Sequence, residues 1–388
     1  MKQRIRKKLS GKTEKGVGSS LPLFVVLLGT LLILSNCGSD TDKDVSGDSF
    51  DRATLLENWA DNRIIPGYQQ LVSDLNEMGS ALATFTATPN QTNLDDARNA
   101  WKEAYLAWQY VEMYEIGKAE EITLRNYMNV YPVNHEDLVE TISSGSWDLT
   151  SVNRQDEQGF PAIDYLLYGL EATDEDLINR YLETPNENQN TAYLTDLADR
   201  MISLSTDVLN DWQNGYRETF IERDGSSATE SVNKIVNDYL FYYEKHLRAG
   251  KIGIPAGVFS TTPLSDRVEA RFSGEFSKEL FLAGLDAAVD FFNGDPLSGT
   301  TGIGLDDYLA ELNTTSDGEE LAVLVNEQFV KAQTTAQNLG NDLGFQVEND
   351  NTIMLNVYDE LQKNVVYLKV DMLQALNIRV DFVDADGD

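Results

Sequence analysis

The sequence predicts an all-α protein. Beyond residue 49, apolar side chains recur at spacings near 3.6 residues, which is the period of a helix buried on one face. Short strands of alternating polarity and the turn pairs that close hairpins are scarce, which disfavours a sheet. The chain has 388 residues, of which 10% are aromatic, and this is enough for the cores of two domains.

The predicted helices can be placed in order along the chain. The first begins near Phe50, and Pro66 is expected to kink or interrupt it. The clearest one starts at Asn93, a good N-cap residue followed by two aspartates, and is expected to run to Gly117. Later helices are predicted near residue 161 and over 191–216, 231–249, 266–292, 317–339 and 350–376.

One polar segment is the best candidate for a domain boundary. Residues 223–230 (RDGSSATE) lack apolar side chains apart from one alanine and lie between two helical patterns. We therefore predict an N-terminal helical domain over 49–222 and a C-terminal helical domain over 223–388.

The N-terminus has the form of a lipoprotein signal peptide over residues 1–36. A basic leader precedes an apolar run that is too short to span a bilayer, which needs about 20 residues. The run ends in LSNC, which resembles a bacterial lipobox and would make Cys37 the lipidated first residue. Asn36 stands where glycine or alanine is usual, and a cysteine placed there by chance is the alternative. Cys37 is the only cysteine of the chain.

Residues 37–48 are polar and acidic, and we expect them to form a flexible tether. An acidic run directly after a lipidated cysteine also resembles the surface-export signals of some Gram-negative lipoproteins. The predicted location is therefore the cell envelope, with the protein held by a lipid anchor on the outer membrane and facing the periplasm or the cell surface.

The charge of the chain excludes one class of partner. The formal net charge is −34, and without residues 1–36 the chain keeps 23 basic and 63 acidic residues. Such a surface repels nucleic acid, so no nucleic-acid partner is expected. It attracts cations, although a coat of acidic residues that keeps the protein soluble explains the charge equally well.

Three places in the sequence could carry chemistry. Glu112 follows Trp108 by four residues and so continues an apolar stripe, where a carboxylate needs a partner or access to water. Asp164 shares a helix face with Pro161, and as a first-turn carboxylate it could also serve only the helix dipole. Lys251 lies in a turn that contains glycine and proline, where it could line a site or simply connect two helices.

Five separated segments of the sequence resemble one known family. They are AWKEAYLAWQYVEMYEIG, GFPAIDYLLYG, RAGKIGIPAG, VEARFSGEFS and VDFVDADGD. Together they are similar to the imelysin family (peptidase M75, insulin-cleaving membrane protease) and cover nearly all of the chain beyond the tether. The resemblance implies two domains, each based on a four-helix bundle, with a binding groove between them and an association with iron uptake.

The resemblance also assigns residues. The family motif is Gly-x-His-x-x-Glu, and here it is altered: Gly159 matches, whereas Pro161 replaces the histidine and Asp164 replaces the glutamate. Proline has no lone pair for a metal and no proton to transfer. The other residues matched to the family's groove are Glu112, Lys251 and Glu269.

The sequence disfavours a zinc enzyme. His135-Glu136 begins a His-Glu-x-x-His pattern, but position 139 is valine, and His246 stands alone near a helix end, where histidine is usually structural. Iron or calcium held by the carboxylates of Glu112, Asp164 and Glu269 is the metal site that the sequence leaves open.

Three functions follow as hypotheses. The first is a non-catalytic binding component at the cell envelope that takes an iron or haem ligand. The second is a metallopeptidase of the family's nominal type. The third is a module that binds another envelope protein or a glycan.

Overall fold

A computed structural model describes residues 49–183, 188–298 and 302–382. The predicted signal peptide (1–36), the lipidation site Cys37 and the tether (37–48) lie outside these residues and stay predictions.

The first half of the chain, residues 49–222, folds into helices joined by short turns. The α-helices are α1 (Arg52–Trp59), α2 (Ile65–Ala87), α3 (Gln91–Gln109), α4 (Lys118–Ile122), α5 (Leu124–Met128), α6 (His135–Ser144), α7 (Gly159–Asp164), α8 (Asp174–Leu182), α9 (Gln189–Asp211) and α10 (Arg217–Glu222). Wider π-helical turns cover Ala60–Ile64, Tyr165–Gly169 and Trp212–Tyr216, and a 3₁₀ helix covers Val152–Glu157. Helix α2 packs against both α3 and α9.

The second half, residues 223–382, is also helical. Its α-helices are α11 (Ser231–Phe241), α12 (Ser277–Asn293), α13 (Leu305–Glu311), α14 (Leu321–Ala336), α15 (Leu343–Asn349), α16 (Asn351–Val366) and α17 (Leu373–Ala375). π-helical segments cover Tyr242–Gly253 and Tyr367–Met372, and a 3₁₀ turn covers Ser265–Arg267. The described residues contain one antiparallel pair of two-residue strands, β1 (Thr315–Ser316) and β2 (Glu319–Glu320). The all-α prediction is confirmed.

Helix α3 differs from its prediction at both ends. Its N-cap is Asn90, whose side chain accepts the backbone N–H of Asn93 at 3.0 Å, so Asn93 already lies inside the helix. The helix ends at Gln109 and not at Gly117, which is the N-cap of α4. The carbonyl of Glu112 accepts two hydrogen bonds from the Arg125 guanidinium, at 3.0 and 2.7 Å. In a longer helix, this carbonyl would have accepted a backbone N–H instead.

The helix predicted over 266–292 begins only at Ser277. The residues before it form tight turns, and Ala270 has a φ of 53°. The backbone N–H groups of Phe272 and Ser273 are bonded to a side chain of the first half, so they are not available to a helix. These turns bring Glu269 into the interior.

The two halves share one hydrophobic core. Phe50 stacks on Tyr308 with ring centroids 4.0 Å apart, and Trp59 stacks on Phe291 at 4.6 Å. All the described residues belong to a single compact unit. The division into domains 49–222 and 223–388, their four-helix bundles and the groove between them stay predictions. Within the described part of the chain, no helix has both the length and the apolar composition needed to cross a membrane.

Candidate functional site: a buried charge cluster between the two halves

Three of the residues singled out in the sequence meet in the interior. Glu112 comes from the turn after α3, Lys251 from the π-helical segment Tyr242–Gly253, and Glu269 from the turns before α12. The three residues are only 1–2% exposed. We call these three residues, with Asn129 and Gln109, the charge cluster.

The Lys251 ammonium lies between the two carboxylates. Its Nζ is 2.5 Å from Oε2 of Glu269 and 3.7 Å from Oε2 of Glu112. Two amide side chains complete the arrangement: Nδ2 of Asn129 donates to Oε1 of Glu269 at 2.8 Å and to Oε1 of Glu112 at 3.4 Å, and Nε2 of Gln109 donates to Oε1 of Glu269 at 3.3 Å. One cation and three amide N–H···O contacts thus compensate two buried acids.

Burial shapes the protonation of this cluster. Desolvation raises the pKa of Glu112, and the Lys251 ammonium opposes that shift. Without the Lys251 ammonium, the pKa of Glu112 would be higher still, and Glu112 would take up a proton more readily.

His246 is the nearest imidazole to the cluster. Its Nδ1 is 3.8 Å from Oε1 of Glu112, and its side chain is 28% exposed, so it reaches from solvent to the buried acid. Burial lowers the pKa of His246 well below its usual value, with Arg125 and Lys251 adding to the effect, so the ring is neutral at pH 7.

The sequence interpretation of His246 as a structural residue missed this contact. His246 and Lys251 are five residues apart, a spacing that an α-helix would spread over different faces. In a π-helix, the backbone hydrogen bonds join residues five apart, so residues at this spacing lie one above the other on the same face. Both side chains therefore turn toward Glu112. The spacing alone did not reveal this, because nothing in the local sequence announces a π-helix.

The three residues matched to the family motif, Gly159, Pro161 and Asp164, all lie in α7. Gly159 has a φ of +75°, and a Cβ at this position would lie less than 3.0 Å from the backbone of Tyr127 and Met128. Pro161 is buried in the first turn of α7, a position that suits a residue without an N–H.

Asp164 does not contact the charge cluster directly. Its two oxygens accept the backbone N–H groups of Phe272 and Ser273, each at 2.9 Å. Burial raises the pKa of Asp164 to about 7, against the effect of these two donors. Asp164 therefore acts across the two halves by fixing the turns that carry Glu269.

A second ionic group adjoins the first. The guanidinium of Arg125 is 3.3 Å from Oδ1 of Asp238 and 3.9 Å from Oε2 of Glu115, while it also bonds the carbonyl of Glu112. Burial raises the pKa of Glu115 to about 7 and that of Asp238 to about 6. The sequence did not single out Arg125, Glu115 or Asp238, because Asp238 lies 113 residues from Arg125 along the chain.

The residues present do not fit the predicted metal site. Within the described residues, no group of three or more His, Cys, Asp or Glu side chains is arranged to hold a metal ion. Glu112 and Glu269 converge on the Lys251 ammonium, while both oxygens of Asp164 are bonded to backbone amides. The carboxylate set Glu112, Asp164 and Glu269 is thus split in two, and a lysine occupies the position between the acids where a cation would bind.

Comparison with known proteins gives related sequences and folds. The family model described as Imelysin (Peptidase_M75) matches residues 64–369. The iron-regulated protein A of Synechococcus elongatus is 25% identical over 125 residues, which are 32% of this chain and 33% of that relative.

Two crystal structures share the fold. A putative iron-regulated protein A precursor from Parabacteroides distasonis superposes with a TM-score of 0.67 at 18% identity, covering 84% of this chain and 96% of that one. An imelysin-like protein from Psychrobacter arcticum gives the same TM-score and identity, covering 86% and 97%. Since the family model spans most of its length, this chain belongs to the imelysin family.

Proposed function

We propose that this protein is an exported, lipid-anchored binding component of the cell envelope that acts in iron or haem acquisition and does not cleave peptides. Its membership of the imelysin family and its likeness to relatives named iron-regulated protein A support an iron-related role. The lipobox at Cys37 supports the location. The observation that carries the non-catalytic part is Pro161, which stands where the family motif has histidine.

The chemistry around Pro161 argues against hydrolysis. A metallopeptidase needs a group that activates water, either the metal itself or a general base with a free lone pair near the substrate. Proline supplies neither, and Asp164 uses both oxygens on backbone amides. Glu112 and Glu269 are buried and neutralised in part by Lys251.

A ligand that reaches the charge cluster meets His246 first. The imidazole is the most exposed of the side chains around Glu112, and neutral imidazole is a good ligand for iron. On this proposal the ligand approaches at His246 and Glu112, with Lys251 and Glu269 behind them. Asp164 keeps the Glu269 turns in place.

Calorimetric titration with ferric citrate, haem and calcium tests the proposal. We expect ferric citrate or haem to bind more tightly than about 1 mM, and His246→Ala to weaken that binding by about tenfold or more. His135→Ala is the matched control because it removes the other histidine, and it should leave the affinity unchanged. Binding no tighter than about 1 mM for all three ligands, or equal binding by His246→Ala, contradicts the proposal.

The family name makes a metallopeptidase the competing function. Incubation of the unaltered protein with an unfolded protein substrate, with and without a chelator, separates the two. The binding proposal expects no chelator-sensitive cleavage by the unaltered chain. Cleavage by the unaltered chain that the chelator abolishes would establish the enzyme instead. The double variant Pro161→His, Asp164→Glu restores the family motif. Its rate of cleavage is the value with which the rate of the unaltered protein is compared.

A further inference from the structure

A groove beside α3, separate from the charge cluster, has the features of a second binding site. It has a volume of about 500 Å³ and lies between α2, α3 and the segment that follows α12. Its lining includes Glu103 and Leu106 of α3 and Tyr110, the C-cap of that helix, at positions i, i+3 and i+7, which share one face. None of the charge-cluster residues lines the groove.

The far wall of the groove is held in place by specific bonds. The backbone N–H of Leu297 donates to the carbonyl of Asn62 at 3.0 Å, and that of Asp295 donates to the carbonyl of Asp290 at 2.9 Å. The buried guanidinium of Arg63 bonds the carbonyl of Asp295 and lies 3.7 Å from the Asp290 carboxylate. The groove is therefore part of the folded framework.

The charge in the groove is mainly negative. Among the described residues, its ionisable lining consists of the carboxylates Asp74, Glu103 and Asp290 and the phenol of Tyr110. Arg63 compensates Asp290 from behind the wall, at 3.7 Å, which leaves Asp74 and Glu103 as the acids available to an occupant. Burial raises the pKa of Tyr110, and Asp290 adds to the effect, so the phenol stays neutral at pH 7. Such a site attracts a cation and repels an anion.

The rest of the lining suits an apolar body. Leu106, Leu297 and the ring of Tyr110 are each half-buried, so they offer apolar surface that an occupant could cover. A tyrosine face beside carboxylates also favours a cation. The volume is in the range of about 300–1,000 Å³ that small-molecule sites occupy.

We propose that this groove binds a small organic cation, with its protonated amine at Asp74 and Glu103 and its apolar body against Leu106, Leu297 and Tyr110. The inference does not depend on the proposed function, because anionic ligands such as ferric citrate are repelled here. The two sites can therefore fail separately.

Three probes that share one body but differ in charge test the proposal. Phenethylammonium, phenethyl alcohol and phenylacetate are titrated into the protein by calorimetry. We expect the ammonium to bind at about 1 mM, and about tenfold more tightly than the alcohol. No binding is expected for the carboxylate. Added salt should weaken the binding of the ammonium alone.

Two conservative substitutions place the binding in the groove. Asp74→Asn with Glu103→Gln removes two charges from partly exposed positions, which spares the fold, and should weaken ammonium binding about fivefold. Glu279→Gln is the matched control, since it removes an exposed acid from α12 far along the helix from Asp290. The proposal is overturned if the alcohol or the carboxylate binds as tightly as the ammonium, or if the double variant binds it unchanged. Failure of the ammonium to bind at about 10 mM has the same consequence.

Discussion

Lys251 shows how one side chain decides what a set of acids can do. Two carboxylates that face each other in an interior repel, and they persist as charged groups only when a cation compensates them. Lys251 supplies that cation from within the chain, at 2.5 Å from Glu269 and 3.7 Å from Glu112. The sequence alone left these two acids open as metal ligands together with Asp164, because it did not show that Lys251 would lie between them.

Lys251→Met should therefore destabilise the fold strongly. Removal of one member of a buried ion pair leaves uncompensated charge and costs about 3–5 kcal/mol. We expect a loss of about 3 kcal/mol in the free energy of unfolding at pH 8, and a smaller loss at pH 5, where Glu112 can take up a proton. Urea denaturation at the two pH values measures both.

Lys331→Met is the control for this substitution, because it removes a lysine that also faces an acid but does so at the surface. Lys331 is 59% exposed, and its ammonium is 3.9 Å from Glu327. It should change the free energy of unfolding by less than about 0.5 kcal/mol. An equal effect of the two substitutions would mean that Lys251 does not neutralise the cluster.

The three charged residues of the cluster could be predicted from the sequence, but their amide partners and their bonding could not. Glu112, Lys251 and Glu269 were assigned by their match to the family motifs, and the structure brings them together. Asn129 and Gln109 are amides in otherwise ordinary helical sequence. Their roles depend on contacts across more than 100 residues, which no local pattern encodes.

At the scale of elements, the helices were predictable and their irregularities were not. Apolar periodicity reports that a segment is helical and which face is buried. It does not distinguish an α-helix from the π-helical segment Tyr242–Gly253, which orients His246 and Lys251. Apolar periodicity also predicted a helix over residues 266–276, where the structure has turns. The N–H groups of Phe272 and Ser273 donate to Asp164, which lies in another part of the chain, and local periodicity does not report such a bond.

Gly159, at the start of α7, combines a left-handed backbone conformation with a close approach to the backbone of α5. A pair of substitutions separates the energetic cost of these two features. Gly159 and Gly318 both have positive φ angles, +75° and +89°, but only Gly159 would place a Cβ against a neighbouring backbone. Gly318→Ala should cost about 1 kcal/mol from the left-handed conformation alone. Gly159→Ala should cost at least about 2 kcal/mol more, since the backbone of Met128 must shift.

Thermal or urea unfolding of the two alanine variants measures this difference. If both variants lose the same stability, the close approach of Met128 to Gly159 does not constrain the fold.

At the scale of the whole molecule, buried acids make stability depend on pH. Burial raises the pKa values of Asp164 and Glu115 to about 7 and that of Asp238 to about 6. Between the unfolded values, near 4, and these folded values, the native state binds more protons than the unfolded state. The free energy of unfolding therefore falls as pH rises through this window. The excess of acidic residues acts in the same direction.

We expect the free energy of unfolding to fall by at least about 2 kcal/mol between pH 5 and pH 8. Asp164→Asn should flatten this dependence because it removes one of the responsible groups. Asp199→Asn, at an exposed aspartate, should leave the slope unchanged. Denaturant unfolding at several pH values is the measurement, and stability that rises toward pH 8 would contradict the sign.

The stacking of Phe50 on Tyr308 and of Trp59 on Phe291 also constrains the order of events during synthesis. Phe50 and Trp59 are synthesised more than 230 residues before these aromatic partners. They stay without these partners until most of the polypeptide has been made, so this part of the interior cannot close early. On the export route proposed above, the delay would keep this part of the chain open for longer.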